Sequence, residues 1–137
     1  MVIDTSALLA IVLGEDDGEL YVEAIERGIE KHQNLTIPAS VLVEAGIVAD
    51  GRGQAKPLAA LLGRIQPDIE PLSETIAELA VKAFKKYGKG LHKAALNFGD
   101  CMSYATAEYC QEPLLFKGND FERTPIKAVL MKTRLPS

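Results

Sequence analysis

The chain has 137 residues, of which 47% are hydrophobic and 25% charged, and its formal net charge is −4. This composition is typical of a globular protein and excludes a disordered chain, a coiled coil and a domain-wide basic surface for nucleic acid. The length predicts a single domain over residues 1–137. The longest apolar run, residues 7–13, is too short to cross a membrane, so we expect a cytoplasmic protein with no membrane partner.

The predicted elements alternate between short strands and helices. Strands are expected at residues 1–3, 35–37, 69–71, 113–116 and 127–130. Helices are expected at residues 7–13, 18–31, 38–51, 54–65, 73–87 and 97–109. Strands separated by helices, often in pairs, predict a three-layer α/β domain around a mostly parallel sheet.

Three acidic residues are predicted to lie near the carboxyl ends of strands or the beginnings of helices. Ligands bind at this edge in open parallel sheets. Asp4 ends the first strand, and Asp120 follows the strand at residues 113–116. Asp100 lies in the first turn of the helix that Asn97 is expected to cap. Each acid has a plain alternative as a capping or turn residue. Capping does not require all three at one edge of the sheet, so we expect them to lie together.

Glu44 is a fourth candidate. It interrupts a predicted apolar stripe of Val41, Ala45 and Val48, and a carboxylate in such a place needs a partner, an edge or a proton. The plain alternative is a glutamate at the rim of the stripe that reaches water.

If the four carboxylates lie together, their negative charge must be compensated. Two unit charges of the same sign about 4 Å apart repel by roughly 4 kcal/mol at an effective dielectric near 20. A divalent cation answers this repulsion, and oxygen ligands without His or Cys select Mg²⁺ or Mn²⁺. Such a centre favours phosphodiester hydrolysis. Asparagine at Asp4 or Asp100 is then expected to abolish the reaction and to leave the metal-free fold intact or more stable.

Other chemistries find little support. Neither a glycine-rich phosphate-binding motif nor a G-x-S-x-G elbow is present, and the two histidines have no identifiable acid partner. Five lysines and no acid lie between Glu78 and Asp100: Lys82, Lys85, Lys86, Lys89 and Lys93. They indicate either a solvated helix face or a surface for phosphates.

Four segments contain these acids: residues 2–8 (VIDTSAL), 38–44 (PASVLVE), 96–101 (LNFGDC) and 114–121 (LLFKGNDF). Together they resemble the PIN-domain ribonucleases of the VapC toxin type, over nearly the whole chain and with the acids in order. The resemblance implies a PIN-like three-layer α/β/α domain with a mostly parallel central sheet. It also implies an endoribonuclease that depends on Mg²⁺ or Mn²⁺ and serves as the toxin of a toxin–antitoxin pair. A homodimer and a cognate antitoxin are the implied protein partners.

Carried over position by position, the resemblance assigns the catalytic, metal-holding cluster to Asp4, Glu44, Asp100 and Asp120. The residues expected to orient these carboxylates are Thr5, Ser6 and Asn97. The lysines expected to hold RNA phosphates are Lys89, Lys93 and Lys117. Asn119 stands where many relatives carry a further acid, which leaves a second metal ion open. It also leaves open a non-catalytic PIN-fold binding or regulatory module. A PIN nuclease of RNA processing or structured DNA is a separate alternative.

Overall fold

A computed structural model describes residues 1–130 of the chain, and in that range strands and helices alternate much as the sequence predicts. The strands are β1 (Val2–Ile3), β2 (Thr36–Pro38), β3 (Asp68–Glu70) and β4 (Leu114–Leu115). The helices are α1 (Thr5–Val12), α2 (Gly18–Glu30), α3 (Ala39–Gly51), α4 (Ala55–Ile65), α5 (Glu74–Tyr87) and α6 (Phe98–Cys110). A short 3₁₀ helix, Asp120–Arg123, follows β4.

The four strands form one sheet in the order β3-β2-β1-β4, and each neighbouring pair is parallel. Val2 of β1 is in register with Thr36 on one side and with Leu114 on the other. All strands therefore end at the same edge of the sheet. The turns that follow β1, β2 and β4 meet at this edge, which is where the candidate acids are carried.

Helices cover both faces of the sheet. Ile3 and Leu115 belong to the core that α1, α2, α3 and α4 share, whereas Val2 and Leu114 pack into the core under α5 and α6. Successive side chains of a strand point to opposite faces, so a strand buried on both faces must be apolar throughout. This explains the uninterrupted apolar runs at β1 and β4, and it confirms the predicted three-layer α/β/α fold.

Side-chain caps begin three of the six α-helices within residues 1–130: α1, α5 and α6. The Asp4 side chain accepts a hydrogen bond from the Ser6 N–H, so α1 begins two residues before the predicted start. Ser73 caps α5 by accepting a hydrogen bond from the Ile76 N–H, as predicted. None of the helices within residues 1–130 is long and apolar enough to cross a membrane.

The predicted strand at residues 127–130 is wrong. The structure has only a single parallel bridge between Leu114 and Ala128 there. The Leu114 N–H donates to the Lys127 carbonyl at 2.8 Å, and the Val129 N–H donates to the Leu114 carbonyl at 3.0 Å. The pairing stops after this one bridge because the chain bends at residues 129–130.

Candidate acidic site

Asp4 is a buried carboxylate whose two oxygens are both hydrogen-bonded. It lies between β1 and α1 and is 4% exposed. Its Oδ2 accepts hydrogen bonds from the Ser6 N–H at 3.1 Å and the Ser6 hydroxyl at 2.6 Å. Its Oδ1 accepts from the Ser103 hydroxyl at 2.6 Å. These donors fix the orientation of the carboxylate and satisfy its buried oxygens.

Ser103 was missed by the sequence analysis. It is fully buried in α6, where it links that helix to the end of β1 through Asp4. Ser103 follows Asp100 by three residues, and residues three apart lie on the same face of a helix. A second polar residue at that spacing on an otherwise apolar face was the available signal.

Asp100 is held by a capping box at the start of α6. The Asn97 N–H donates to Asp100 Oδ2 at 3.0 Å, and the Asp100 N–H donates to Asn97 Oδ1 at 2.8 Å. Burial is the main reason that the pKa of Asp100 rises from 3.8 to about 6, and the hydrogen bond from Asn97 opposes this rise. The charges of Asp4, Asp120 and Glu44 raise the pKa further. The four predicted acids therefore lie within electrostatic reach of one another.

Glu44 reaches the site from α3. Its side chain is exposed at the edge of a buried stripe that contains Val41 and Ala45, which agrees with the rim alternative. This edge of the stripe faces the acidic site. A Cβ built on Gly99, the neighbour of Asp100, would lie 2.8 Å from Glu44 Oε2. Gly99 thus leaves the room that the Glu44 carboxylate takes beside the first turn of α6.

Asp120 begins the 3₁₀ helix and is exposed. The turn before it contains Gly118, whose φ of +106° favours glycine. The turn is anchored on its far side by Phe121, which is buried and packs on Phe116 with ring centroids 5.0 Å apart. A rigid turn therefore carries an exposed carboxylate.

The oxygen atoms of the site, from four carboxylates and one hydroxyl, are the kind of ligand that a hard cation prefers. Residues 1–130 contain no group of three or more His, Cys, Asp or Glu side chains that could hold a metal ion as they stand. The Thr5 hydroxyl beside Asp4 is buried and lacks a hydrogen-bond partner among residues 1–130. Carboxylate and hydroxyl oxygens are ligands that Mg²⁺ and Mn²⁺ accept.

The orienting residues divide. The Ser6 hydroxyl and the Asn97 N–H donate hydrogen bonds to carboxylates of the site. The Thr5 hydroxyl makes no hydrogen bond within residues 1–130. Lys89 and Lys93 are exposed in the loop between α5 and α6, and the Arg123 guanidinium donates to the Lys93 carbonyl at 2.9 Å. This bond ties the basic loop to the 3₁₀ helix that contains Asp120.

Lys117 was expected to hold RNA phosphate, but its side chain is paired with acids of the protein. Its ammonium forms ion pairs with Glu15 and with Asp17, the latter at 2.8 Å. Two carboxylates already compensate its charge, so the structure does not support an RNA contact for this side chain.

Comparisons with known proteins show which family the chain belongs to. A family model described as the PIN domain matches residues 1–127. Ribonuclease VapC30 of Mycobacterium tuberculosis is 40% identical over 133 residues, which cover 96% of this chain and 99% of that protein. Ribonuclease VapC28 of the same species is 39% identical over 134 residues, which cover 95% and 98%.

Solved structures share the fold. A crystal structure of Mycobacterium tuberculosis VapC20, described as a sarcin-ricin loop cleaving toxin, aligns with a TM-score of 0.70 at 17% identity and covers 91% of this chain and 95% of that one. A toxin–antitoxin complex from Klebsiella pneumoniae aligns with a TM-score of 0.68 at 21% identity, with coverages of 90% and 92%. The predicted resemblance is confirmed: the chain belongs to the PIN-domain family, among the VapC ribonucleases.

Proposed function

We propose that residues 1–137 form one PIN domain that acts as a metal-dependent endoribonuclease and as the toxin of a toxin–antitoxin pair. The observation that carries this proposal is the meeting of four acids at the carboxyl edge of a parallel sheet, where three of them raise the pKa of Asp100. Relatives that are 39% and 40% identical and are named ribonucleases support RNA as the substrate class. The site of action is then the cytoplasm, where such substrates occur.

Asp4 and Asp100 are the proposed principal ligands of Mg²⁺ or Mn²⁺, with Glu44 and Asp120 completing the set. When bound, the cation would supply an activated water and offset the charge that develops on the phosphate. Ser6 and Ser103 hold Asp4 in one orientation, and the capping box does the same for Asp100. A pKa of about 6 leaves Asp100 mostly ionised at neutral pH, as a ligand must be.

Lys89 and Lys93 are proposed to hold RNA phosphates beside the acids. The chain carries a net charge of −4, so an approaching RNA backbone needs local positive charge. Both lysines are exposed, and Arg123 ties their loop to the 3₁₀ helix of the site.

A cognate antitoxin and a second copy of the chain are the proposed protein partners. An apolar groove of about 510 Å³ lies between α5 and α6, and Phe98 at its edge is 80% exposed. Exposed apolar surfaces of this kind often mark protein contacts, and we propose that this one meets the second copy. The mass of the protein in solution tests the homodimer, and Phe98→Ser is expected to shift it toward the monomer.

The nuclease proposal is tested by cleavage of total small RNA with Mg²⁺, with Mn²⁺ and with chelator. We expect fragments that require metal and that Asp100→Asn does not produce. Asp50→Asn, an exposed aspartate of α3, is the matched control and should cut normally. Cleavage that survives the chelator or the Asp100 substitution would contradict the proposal.

Two further outcomes identify the alternatives. Metal-dependent cutting of structured DNA in preference to RNA would favour a nuclease of another class. If neither substrate is cut and Mn²⁺ leaves the melting temperature unchanged, the non-catalytic module is the better description.

A further inference from the structure

Lys117 connects to the acidic site through its backbone. It follows β4 after one residue, and its N–H donates to the Ser6 hydroxyl oxygen at 2.9 Å. The same hydroxyl donates to Asp4 Oδ2 at 2.6 Å. The Lys117 N–H therefore helps to orient the Ser6 hydroxyl, and this hydroxyl in turn orients Oδ2 of Asp4.

The side chain of Lys117 extends the other way, to the turn between α1 and α2. Its ammonium donates to Glu15 Oε2 and, at 2.8 Å, to Asp17 Oδ1. The hydrogen bonds that the ammonium donates to Asp17 and Glu15 raise the pKa of Lys117, so the lysine is charged throughout the neutral range. One residue thus joins two turns that lie about a hundred positions apart in the chain, since Lys117 is separated from Glu15 by 102 residues and from Asp17 by 100.

The turn that supplies the two acids is held by backbone hydrogen bonds and close packing. The Glu15 N–H donates to the Ala10 carbonyl at 3.0 Å, and the Gly18 N–H donates to the Glu15 carbonyl at 2.9 Å. A Cβ on Gly18 would lie 2.7 Å from the Ala10 carbonyl oxygen, so the start of α2 packs directly on the backbone of α1. Because this turn is packed on α1, the ion pairs with Glu15 and Asp17 can hold the Lys117 side chain in one position.

We propose that Lys117 is a positioning residue of the acidic site, whose ion pairs with Glu15 and Asp17 hold the turn after β4 so that its backbone N–H fixes Ser6 and thereby Asp4. This inference rests on the proposed function, because it assigns a role within the same site. The turn it holds also leads through Gly118 to Asp120, so two of the four acids depend on the clamp.

A phosphate-binding role for Lys117 makes the opposite prediction. If its ammonium held RNA, removal of Glu15 and Asp17 would release it and strengthen RNA binding. If it positions the site, the same removal loosens the turn and weakens the site. The double variant Glu15→Gln with Asp17→Asn separates the two roles while leaving the lysine in place.

The first test measures amide hydrogen exchange at residue 117, which needs neither metal nor RNA. In the double variant we expect exchange at this amide to be at least about tenfold faster than in the wild type, because local opening becomes easier. Glu23→Gln with Glu26→Gln, two exposed acids of α2, is the matched control and should leave the rate unchanged. An unchanged rate in the Glu15 and Asp17 variant would overturn the proposal.

The second test compares Lys117→Met with Lys117→Arg for RNA cleavage and for Mn²⁺ binding by calorimetry. Loss of a partner that orients a metal ligand typically costs 10- to 100-fold. We expect Lys117→Met to lower kcat and Mn²⁺ affinity at least about tenfold with an unchanged KM for RNA. The arginine variant keeps both ion pairs and should restore kcat, and Lys56→Met on α4 is the control for loss of a surface charge.

A raised KM with an unchanged kcat would instead identify an RNA contact and overturn the positioning role. If the wild-type protein neither binds Mn²⁺ nor cuts RNA, the proposed function fails. The amide exchange at residue 117 still decides in that case whether the clamp exists, so the two failures are distinguishable.

Discussion

Replacing Asp100 by asparagine is expected to stabilise the metal-free protein at neutral pH and at the same time to abolish its response to metal. Burial is the main cause that raises the pKa of this carboxyl to about 6, so its ionised form is disfavoured in the folded state. Asparagine removes the charge but keeps an oxygen that can accept the hydrogen bond from the Asn97 N–H. The capping box at the start of α6 should therefore survive.

The sign and size of the effect follow from the two pKa values. As the pH rises through 3.8, the unfolded chain loses this proton first, and the folded state loses stability until about pH 6. Taken in full, the difference is worth about 3 kcal/mol. Asp100 is partly exposed, so solvent screening reduces this to about 1 to 2 kcal/mol. For a domain of this length, that raises the melting temperature by about 3 to 7 °C.

The assay is thermal unfolding in chelator at about pH 7.5 and about pH 4. Asp100→Asn should melt above the wild type at the higher pH and close to it at the lower one. Mn²⁺ should raise the melting temperature of the wild type but not that of Asp100→Asn. Asp50→Asn controls for the loss of an exposed charge on α3. A variant that melts below the wild type at neutral pH, or by the same margin at both pH values, would refute the reasoning.

Three further variants test other parts of the site. Gly99→Ala should displace the carboxylate of Glu44, whose Oε2 would lie 2.8 Å from the new Cβ, and lower the cleavage rate with little change in melting temperature. Ser103→Ala leaves a buried carboxylate oxygen without its donor, and calorimetry should show Mn²⁺ affinity reduced about tenfold. Alanine at Lys89 and Lys93 should raise the KM for RNA and flatten its salt dependence; unchanged values would remove these lysines from the interface.

The sequence analysis treated Asp4 and Asp100 alike, and the structure separates them. Asp4 accepts three hydrogen bonds, from the N–H and hydroxyl of Ser6 and from the hydroxyl of Ser103. Because hydrogen bonds to a charged group are worth about 1.5 to 3 kcal/mol each, asparagine there should lower the free energy of unfolding. We expect Asp4→Asn to be less stable than the wild type without metal, which thermal unfolding measures, so Asp100→Asn is the cleaner inactive variant.

Local patterns predicted most of the fold. The apolar runs at β1 and β4, the Asn97 cap and the alternation of strands with helices each depend on neighbours within a few residues, and they place the elements to within a few positions. The same patterns indicated which acids follow or approach strand ends. The segment at residues 127–130 shows the limit, because an apolar run forms a strand only where the chain stays extended beside a partner, and here it bends after one bridge.

The sequence by itself determined the order of the elements and the three-layer fold, and it predicted one group of four acids, because caps, strand ends and apolar stripes are local features. Tertiary structure alone decided which of these acids is held rigidly and by what. The partners that do so lie 99 residues from Asp4 at Ser103 and 111 residues from Ser6 at Lys117. Contacts over such separations form only when the sheet brings distant turns to one edge. A local pattern can mark Ser103 as an unusual polar residue on its helix, but it cannot identify Asp4 as the partner.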